Sequence, residues 1–179
     1  MIMSVDEIVA NSKASIKNED LRSLLLLLYN REIKNVLEIG TWKGYSAKIW
    51  EKAFNPEILV SIELEKGICE EKFLGPQTVR ILDGWDSHKK ETLDAVGFTQ
   101  YDFLFIDGDH TLEGVTKDWE MYSPLVKSGG VIVLHDVIYT AFNPDVQVKP
   151  LWDKLKKDYP YIEIKSESSS TGMGVIFKD

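Results

Sequence analysis

Five ionisable side chains stand at the ends of two apolar runs. Asp107, Asp109 and His110 follow or lie just beyond Tyr101-Asp-Phe-Leu-Phe-Ile106, and His135 and Asp136 follow Val131-Ile-Val-Leu134. Side chains of these types move protons or hold cations, and in such density they seldom serve packing. A plainer account has Asp109 capping the helix that follows and the histidines satisfying loop carbonyls. A second stretch, Glu38-Ile-Gly40-Thr41-Trp42-Lys43-Gly44-Tyr45, ends another apolar run in a carboxylate and a glycine turn. A turn of this kind presents backbone N–H groups and a helix N-terminus to a ligand at the carboxyl end of a parallel sheet. Gly40 is expected to admit a ligand close to the backbone, and Gly44 to let the helix pack close to the strand. Glu38, aimed into that crevice, suits a cationic ligand.

The elements that must position these residues can be read along the chain. Residues 4–32 read as helical, with Leu21, Leu24, Leu25 and Leu28 as a core-facing stripe. Leu26 and Leu27 widen the stripe into a broad buried face, or into a lid or subunit contact. Strands follow at Asn35–Ile39 and Glu57–Glu63, the second ending 23 positions beyond Gly40. That distance is near the roughly 20 expected of a ribose-binding acid in a βαβ nucleotide site. Glu63 there either accepts from both ribose hydroxyls or caps a short helix over 65–74. Gly75-Pro76 breaks the chain before a third strand, Thr78–Leu82. The following loop, Asp83-Gly84-Trp85-Asp86-Ser87, is placed to hold a nucleotide base, although a surface turn explains Trp85 equally well. Asp86 or Ser87 is expected to cap a helix over 87–96.

After the strand at 101–107, a helix over 111–127 is expected to close at Ser128-Gly129-Gly130. A fifth strand then runs to Leu134, a loop over 139–147, and a helix over 148–158. A terminal antiparallel hairpin is expected from Tyr161–Ser166 and Gly174–Lys178. The pattern is α/β: a Rossmann-like, doubly wound, seven-stranded sheet, mostly parallel, with helices on both faces. Residues 1–32 are expected to form a helical cap on a single domain over 33–179.

Composition narrows the function further. A net charge of −8 disfavours nucleic acid and anionic membranes as partners. The single cysteine, Cys69, permits no intrachain disulfide and suits a reducing compartment. No secretory or membrane-spanning run is visible, so a cytoplasmic location is expected.

Five βα units closed by a helix and a hairpin resemble the class I S-adenosylmethionine-dependent methyltransferases over about residues 33–179. The resemblance rests on Glu38-Ile-Gly-Thr-Trp-Lys-Gly44, the acidic strand end Glu63, and Gly172-Met-Gly174. Phe105-Ile-Asp-Gly-Asp-His110 with Leu134-His-Asp136 is similar to small-molecule O-methyltransferases, in the branch with macrocin O-methyltransferase and cephalosporin hydroxylase-like proteins. Asn143-Pro144 follows the wrong strand to be the Asn-Pro-Pro-Tyr element of N-methyltransferases.

The resemblance implies S-adenosyl-L-methionine bound by Glu38, Gly40, Thr41, Gly44, Tyr45, Glu63, Asp83, Gly84, Trp85, Asp86 and Asp107. It implies catalysis by His110, Asp107 and His135, and a divalent metal on Asp107, His135 and Asp136. Hard oxygen ligands favour Mg2+ over zinc. His135 stands where the family often has another acid. The sulfonium methyl is already activated, so the residues chiefly align a nucleophile with the C–S bond. A hydroxyl acceptor must also lose its proton, to His110 or with a metal's help.

The partner implied is a small-molecule acceptor shaped by the N-terminal helix and residues 137–150, and the chain is compatible with a homo-oligomer. Two other functions fit the same residues. A non-catalytic S-adenosylmethionine- or metal-binding protein could share the fold. An NAD-dependent oxidoreductase is disfavoured by Trp42, which occupies the place of the middle glycine in G-x-G-x-x-G.

Overall fold

The computed structural model describes residues 3–73, 79–97, 100–138 and 144–179. Seven strands form one sheet: β1 (Asn35–Ile39), β2 (Ile58–Glu63), β3 (Val79–Asp83), β4 (Tyr101–Ile106), β5 (Val126–His135), β6 (Tyr161–Ile164) and β7 (Met173–Phe177). Their spatial order is β3-β2-β1-β4-β5-β7-β6. The first five pair in parallel, whereas β7 runs antiparallel between β5 and β6. This is the mostly parallel sheet with a terminal antiparallel pair that the chain pattern predicts. Strand order reverses between β1 and β4, which opens a crevice beyond their carboxyl ends.

Both faces of the central strands are buried. Val36, Phe103, Phe105, Val131 and Val133 face one core together with Trp50 of α3 (Tyr45–Phe54) and the leucines of α2 (Asn18–Leu28). Leu37, Leu104, Ile106, Ile132 and Leu134 face the other, with Trp119 and Tyr122 of α5 (Leu112–Tyr122) and Trp152 of α6 (Val148–Leu155). Alternation along continuous apolar strands is what a sheet covered on both sides requires.

Several local expectations are corrected. The N-terminal segment is two helices, α1 (Val5–Ala10) and α2, with residues 11–17 between them. Ser4 and Glu7 form a capping box for α1, and the Asn11 side chain donates to the Glu7 carbonyl at 2.7 Å, closing the helix. The described part of 65–74 holds no helix. Gly67 turns at φ +81, its N–H donates to the Asp83 carboxylate, and the Glu70 and Glu71 N–H groups donate to the Lys43 carbonyl. Gly75-Pro76, Thr78 and residues 139–143 lie outside the described residues.

Helix α4 spans Lys90–Val96 and its N-cap, Lys89, makes no side-chain cap bond. Asp86 accepts from the His88 N–H instead. Helix α5 ends at Tyr122 and passes through a 3-10 turn, Ser123–Leu125, so Ser128-Gly129-Gly130 lies within β5 rather than at a helix end.

The leucine run resolves by exposure. Leu21, Leu24, Leu25 and Leu28 are buried, Leu27 is partly buried, and Leu26 is 50% exposed. The stripe is therefore narrower than a broad buried face. Leu24→Ala is expected to cost about 2–5 kcal/mol of stability, and Leu26→Ala less than about 0.5 kcal/mol. Urea denaturation midpoints of the two variants measure this difference. Equal losses would contradict the assignment of faces.

Candidate functional site

A cavity of about 770 Å³ lies at the crevice where strand order reverses. Its wall joins the β1 turn (Gly40, Thr41, Trp42, Tyr45), Glu63 at the end of β2, Trp85 to His88 after β3, Asp107 to His110 after β4, and His135 and Asp136 at the end of β5.

The rim expected from the sequence is assembled. The His110 Nε2 stands 3.1 Å from Asp107 Oδ1 and 3.1 Å from Asp136 Oδ2. The His135 Nδ1 is 3.1 Å from the same Asp107 oxygen and 3.5 Å from Asp136 Oδ2. Two imidazoles and two carboxylates thus alternate in one cluster. Hydrogen bonds to Asp107 and Asp136 raise the His110 imidazolium to about 10. Burial works against a charged His135, but the Asp107 and Asp136 charges overcome it and raise it to about 10 as well. Burial pushes the two carboxyls up, and the paired histidines hold them below their usual range.

Ligand atoms of Asp107, His110 and Asp136 lie within 4.8 Å of one another, close enough to share a cation. His135 is 5% exposed, beside those atoms rather than among them. Asp109 faces the cavity while its Oδ1 accepts from the Thr111 N–H at 2.9 Å. The plainer account of Asp109 therefore holds in part, although the cap proper is Thr111, whose hydroxyl accepts from the Gly114 N–H.

Glu63 lines the cavity with its Oε2 accepting from the Trp42 N–H at 2.6 Å and its Oε1 from the Glu65 N–H at 2.8 Å. Each oxygen keeps a lone pair for a ligand hydroxyl. Glu38 is placed differently from the crevice-facing carboxylate expected of it. It is wholly buried beneath the turn, accepting from the Trp50 indole N–H at 2.8 Å and from the Ser61 hydroxyl. Burial pushes its carboxyl up, and the bonds from Ser61 and Trp50 oppose that.

Gly40 and Gly44 adopt φ +83, and at both the space a Cβ would take is filled by protein, while Gly40 also lines the cavity. A Cβ on Gly40 would fall 2.2 Å from the Asp107 carbonyl oxygen, and one on Gly44 2.7 Å from Cys69 Sγ. Gly44 therefore makes room for the 69–73 segment, not for a close strand contact. Asp83 and Gly84 stay behind the wall, Asp83 holding Gly67 and the Gly84 N–H donating to the Glu63 carbonyl.

Three features of the wall carried no sequence signal: His88, residues 14–16 and Thr171. Ser87 and His88 line it and are tied to Asp118, a fully buried residue of α5. The Ser87 hydroxyl donates to Asp118 Oδ1 at 2.7 Å, His88 Nε2 is 3.3 Å from the same atom, and the Tyr122 hydroxyl donates to the Ser87 carbonyl at 2.6 Å. Ala14 to Ile16, between α1 and α2, and Thr171, before β7, complete the wall.

Burial pushes the Asp118 carboxyl up to about 6. A carboxyl raised on folding favours the folded state at low pH, and that contribution is lost as pH rises from about 4 through about 6. At about 1.4 kcal/mol per unit, ionised Asp118 costs about 2–3 kcal/mol at neutral pH. Asp118→Asn is expected to recover much of this above pH about 6 and little below pH about 4. Thermal denaturation of both proteins across that range checks it, and a pH-independent difference would reject the buried ionisation.

A family model described as a methyltransferase domain matches residues 37–137. Among curated proteins, demethylmacrocin O-methyltransferase of Streptomyces fradiae is 29% identical over 124 residues, 65% of this chain and 30% of that protein. An uncharacterized protein of Acanthamoeba polyphaga mimivirus is 28% identical over 140 residues, 73% of this chain and 62% of that protein. The chain thus spans less than two thirds of either relative.

Two solved structures share the fold across nearly the whole chain. A Staphylococcus aureus protein assigned as a caffeoyl-CoA O-methyltransferase superposes with TM-score 0.73 at 20% identity, covering 99% of this chain and 93% of its own. The mycinamycin-pathway methyltransferase MycE, bound to Mg, S-adenosylhomocysteine and mycinamycin VI, superposes with TM-score 0.68 at 16% identity, covering 98% and 54%. Among the described residues no helix is long and apolar enough to cross a membrane. With the family model matching more than half of its length, the chain belongs to the methyltransferase-domain family.

Proposed function

We propose that the protein transfers the methyl group of S-adenosyl-L-methionine to a hydroxyl of a small molecule. The observation that carries this reading is one cavity joining Glu63, a strand-end acid suited to a ribose, to the Asp107–Asp136 rim, in a chain of the methyltransferase-domain family. The cosubstrate lies along the β1 turn, its ribose on Glu63 and its base toward Trp85 and Asp86. Gly40, Thr41 and Tyr45 border it, while Glu38, Gly44, Asp83 and Gly84 act from behind by fixing the turn and the loop. Relatives support the cosubstrate, since MycE was solved with S-adenosylhomocysteine and the Streptomyces achromogenes O-methyltransferase TomG with S-adenosylmethionine. They support small-molecule acceptors in the same way. A reducing, cytoplasmic setting suits the lone cysteine.

Asp107, His110 and Asp136 fit a divalent ion by donor type and spacing, and their two carboxylates match its charge. Such an ion would lower the pKa of a bound hydroxyl. Unaided, His110 is a poor base at neutral pH, because Asp107 and Asp136 already hold a proton on it. Its part is then that of a ligand, with His135 beside it steadying Asp107 and Asp136. The nicotinamide alternative is weakened by Trp42, which stands in the cavity wall where a diphosphate would need glycine.

Glu63→Ala is expected to weaken S-adenosylhomocysteine binding by about 1.5–3 kcal/mol, the range for a hydrogen bond to a charged group. Calorimetry with S-adenosylhomocysteine and with NAD tests both readings together. Unchanged affinity in the variant would reject the ribose assignment, and tight NAD binding would reject the cosubstrate.

A further inference from the structure

The charges of the cavity wall are one-sided. Six carboxylates line it (Glu63, Glu65, Asp86, Asp107, Asp109 and Asp136), and no lysine or arginine does among the described residues. The residues outside the described set, 1–2, 74–78, 98–99 and 139–143, contain no lysine or arginine either. The histidines do not reverse this balance. His110 and His135 are matched by Asp107 and Asp136 in the alternating cluster, and His88 is turned to the buried Asp118. Lys89 reaches Asp86 at 3.8 Å without entering the cavity wall. Glu63, Glu65 and Asp109 have no lysine or arginine partner among the described residues.

The nearby lysines are committed elsewhere. Lys13, beside the wall residue Ala14, pairs with Glu71 at 3.1 Å, and Lys43 pairs with Glu70 at 2.6 Å. Ala14, Ser15, Ile16 and Thr171 add only small or apolar, uncharged side chains to the wall.

We infer that the acceptor is a neutral or cationic hydroxyl compound, and that carboxylated, phosphorylated and coenzyme A-linked acceptors are excluded by the cavity's own charge. This rests on the methyltransferase reading, in which cosubstrate and acceptor share this one cavity and its charge. A sulfonium cosubstrate with net positive charge suits the acidic wall. An anionic acceptor would enter a concave, partly desolvated site whose carboxylates repel it and which offers no lysine or arginine to pair with it. Fold likeness to a caffeoyl-CoA enzyme therefore does not extend to its acceptor, because a coenzyme A thioester brings several phosphate charges.

The test uses matched catechols on the protein saturated with S-adenosylhomocysteine, with and without Mg2+: catechol, dopamine, 3,4-dihydroxybenzoate and caffeoyl-CoA. Ligand-observed NMR titrations are expected to show catechol and dopamine binding at least about 10-fold more tightly than either anion, in both buffers. Ser15→Lys places a cation on the exposed neutral wall and is expected to narrow that gap by raising affinity for 3,4-dihydroxybenzoate. Anions binding as tightly as catechol overturn the inference, as does a panel in which no member binds. If S-adenosylhomocysteine itself fails to bind in calorimetry, the methyltransferase reading falls, and that outcome is distinct from a failed charge preference.

Discussion

Asp107→Ala and Asp136→Ala are each expected to abolish divalent-metal binding and methyl transfer together. His110→Ala is expected to slow transfer by about 10²–10⁴-fold, because weakening the ion that would acidify the acceptor hydroxyl forfeits the help it gives to proton removal. It should also lose metal affinity, because the His110 Nε2 is 3.1 Å from a carboxylate oxygen of each acid. Titration calorimetry with Mg2+ and Mn2+ and rates with methyl-labelled S-adenosylmethionine separate the effects.

The pH dependence follows from the same geometry. The metal-free cluster holds a proton on His110 up to about pH 10, and a metal ligand must be deprotonated. Metal affinity therefore falls as pH drops, by up to about tenfold per unit for each proton released. Full rate in excess EDTA would remove the metal from the mechanism. Intact metal affinity in His110→Ala would return His110 to the role of an independent proton acceptor.

Strand ends were legible in the sequence because buried parallel strands leave a strong, local signature. Continuous apolar runs marked β1, β2, β4 and β5, and the polar residues that closed them, Glu63, Asp107, His135 and Asp136, reached the cavity wall. What was not legible depends on partners far along the chain. Asp118 sits on a helix face that reads as ordinary, and only the fold brings it to Ser87, 31 positions away. Ala14 to Ile16 became wall residues because the N-terminal segment breaks at Asn11, a choice made by side chains competing for backbone groups.

The 65–74 segment has helical composition, yet in its described part the Gly67 N–H is claimed by the Asp83 carboxylate and those of Glu70 and Glu71 by the Lys43 carbonyl. Gly129-Gly130 looked like a helix end because glycine is common there. In the fold the β4–β5 register shifts between Tyr101 and Phe103, and the glycines lie in the irregular first half of β5. Glu38 had the right type and place for a ligand contact, and burial under Trp50 and Ser61 turned it into a support.

Gly40→Ala is expected to be the most damaging single-methyl change in the site, and to act through the fold before it acts on binding. Two costs coincide at this residue. Its φ of +83 lies where L side chains are strained, at about 1–3 kcal/mol. The added Cβ would also stand 2.2 Å from the Asp107 oxygen, 2.6 Å from its carbonyl carbon and 2.7 Å from the Gly108 Cα. All three are backbone atoms, so no rotamer change relieves the overlap, and overpacking adds about 1–3 kcal/mol more.

The neighbourhood is pinned from both sides, since the Gly40 N–H donates to the Ile62 carbonyl and the Asp107 N–H to the Ile39 carbonyl. Relief must come from moving the Asp107–Gly108 turn, which carries the rim. Gly67→Ala is the control: its φ is +81, but no described atom lies within 4 Å of the new Cβ. It should pay only the conformational part. Urea denaturation of both variants, with S-adenosylhomocysteine titrations on whatever remains folded, measures the difference. A Gly40→Ala protein as stable as Gly67→Ala would mean that the turn yields at no cost, and the close fit of β1 to the rim would then not be what the glycine serves.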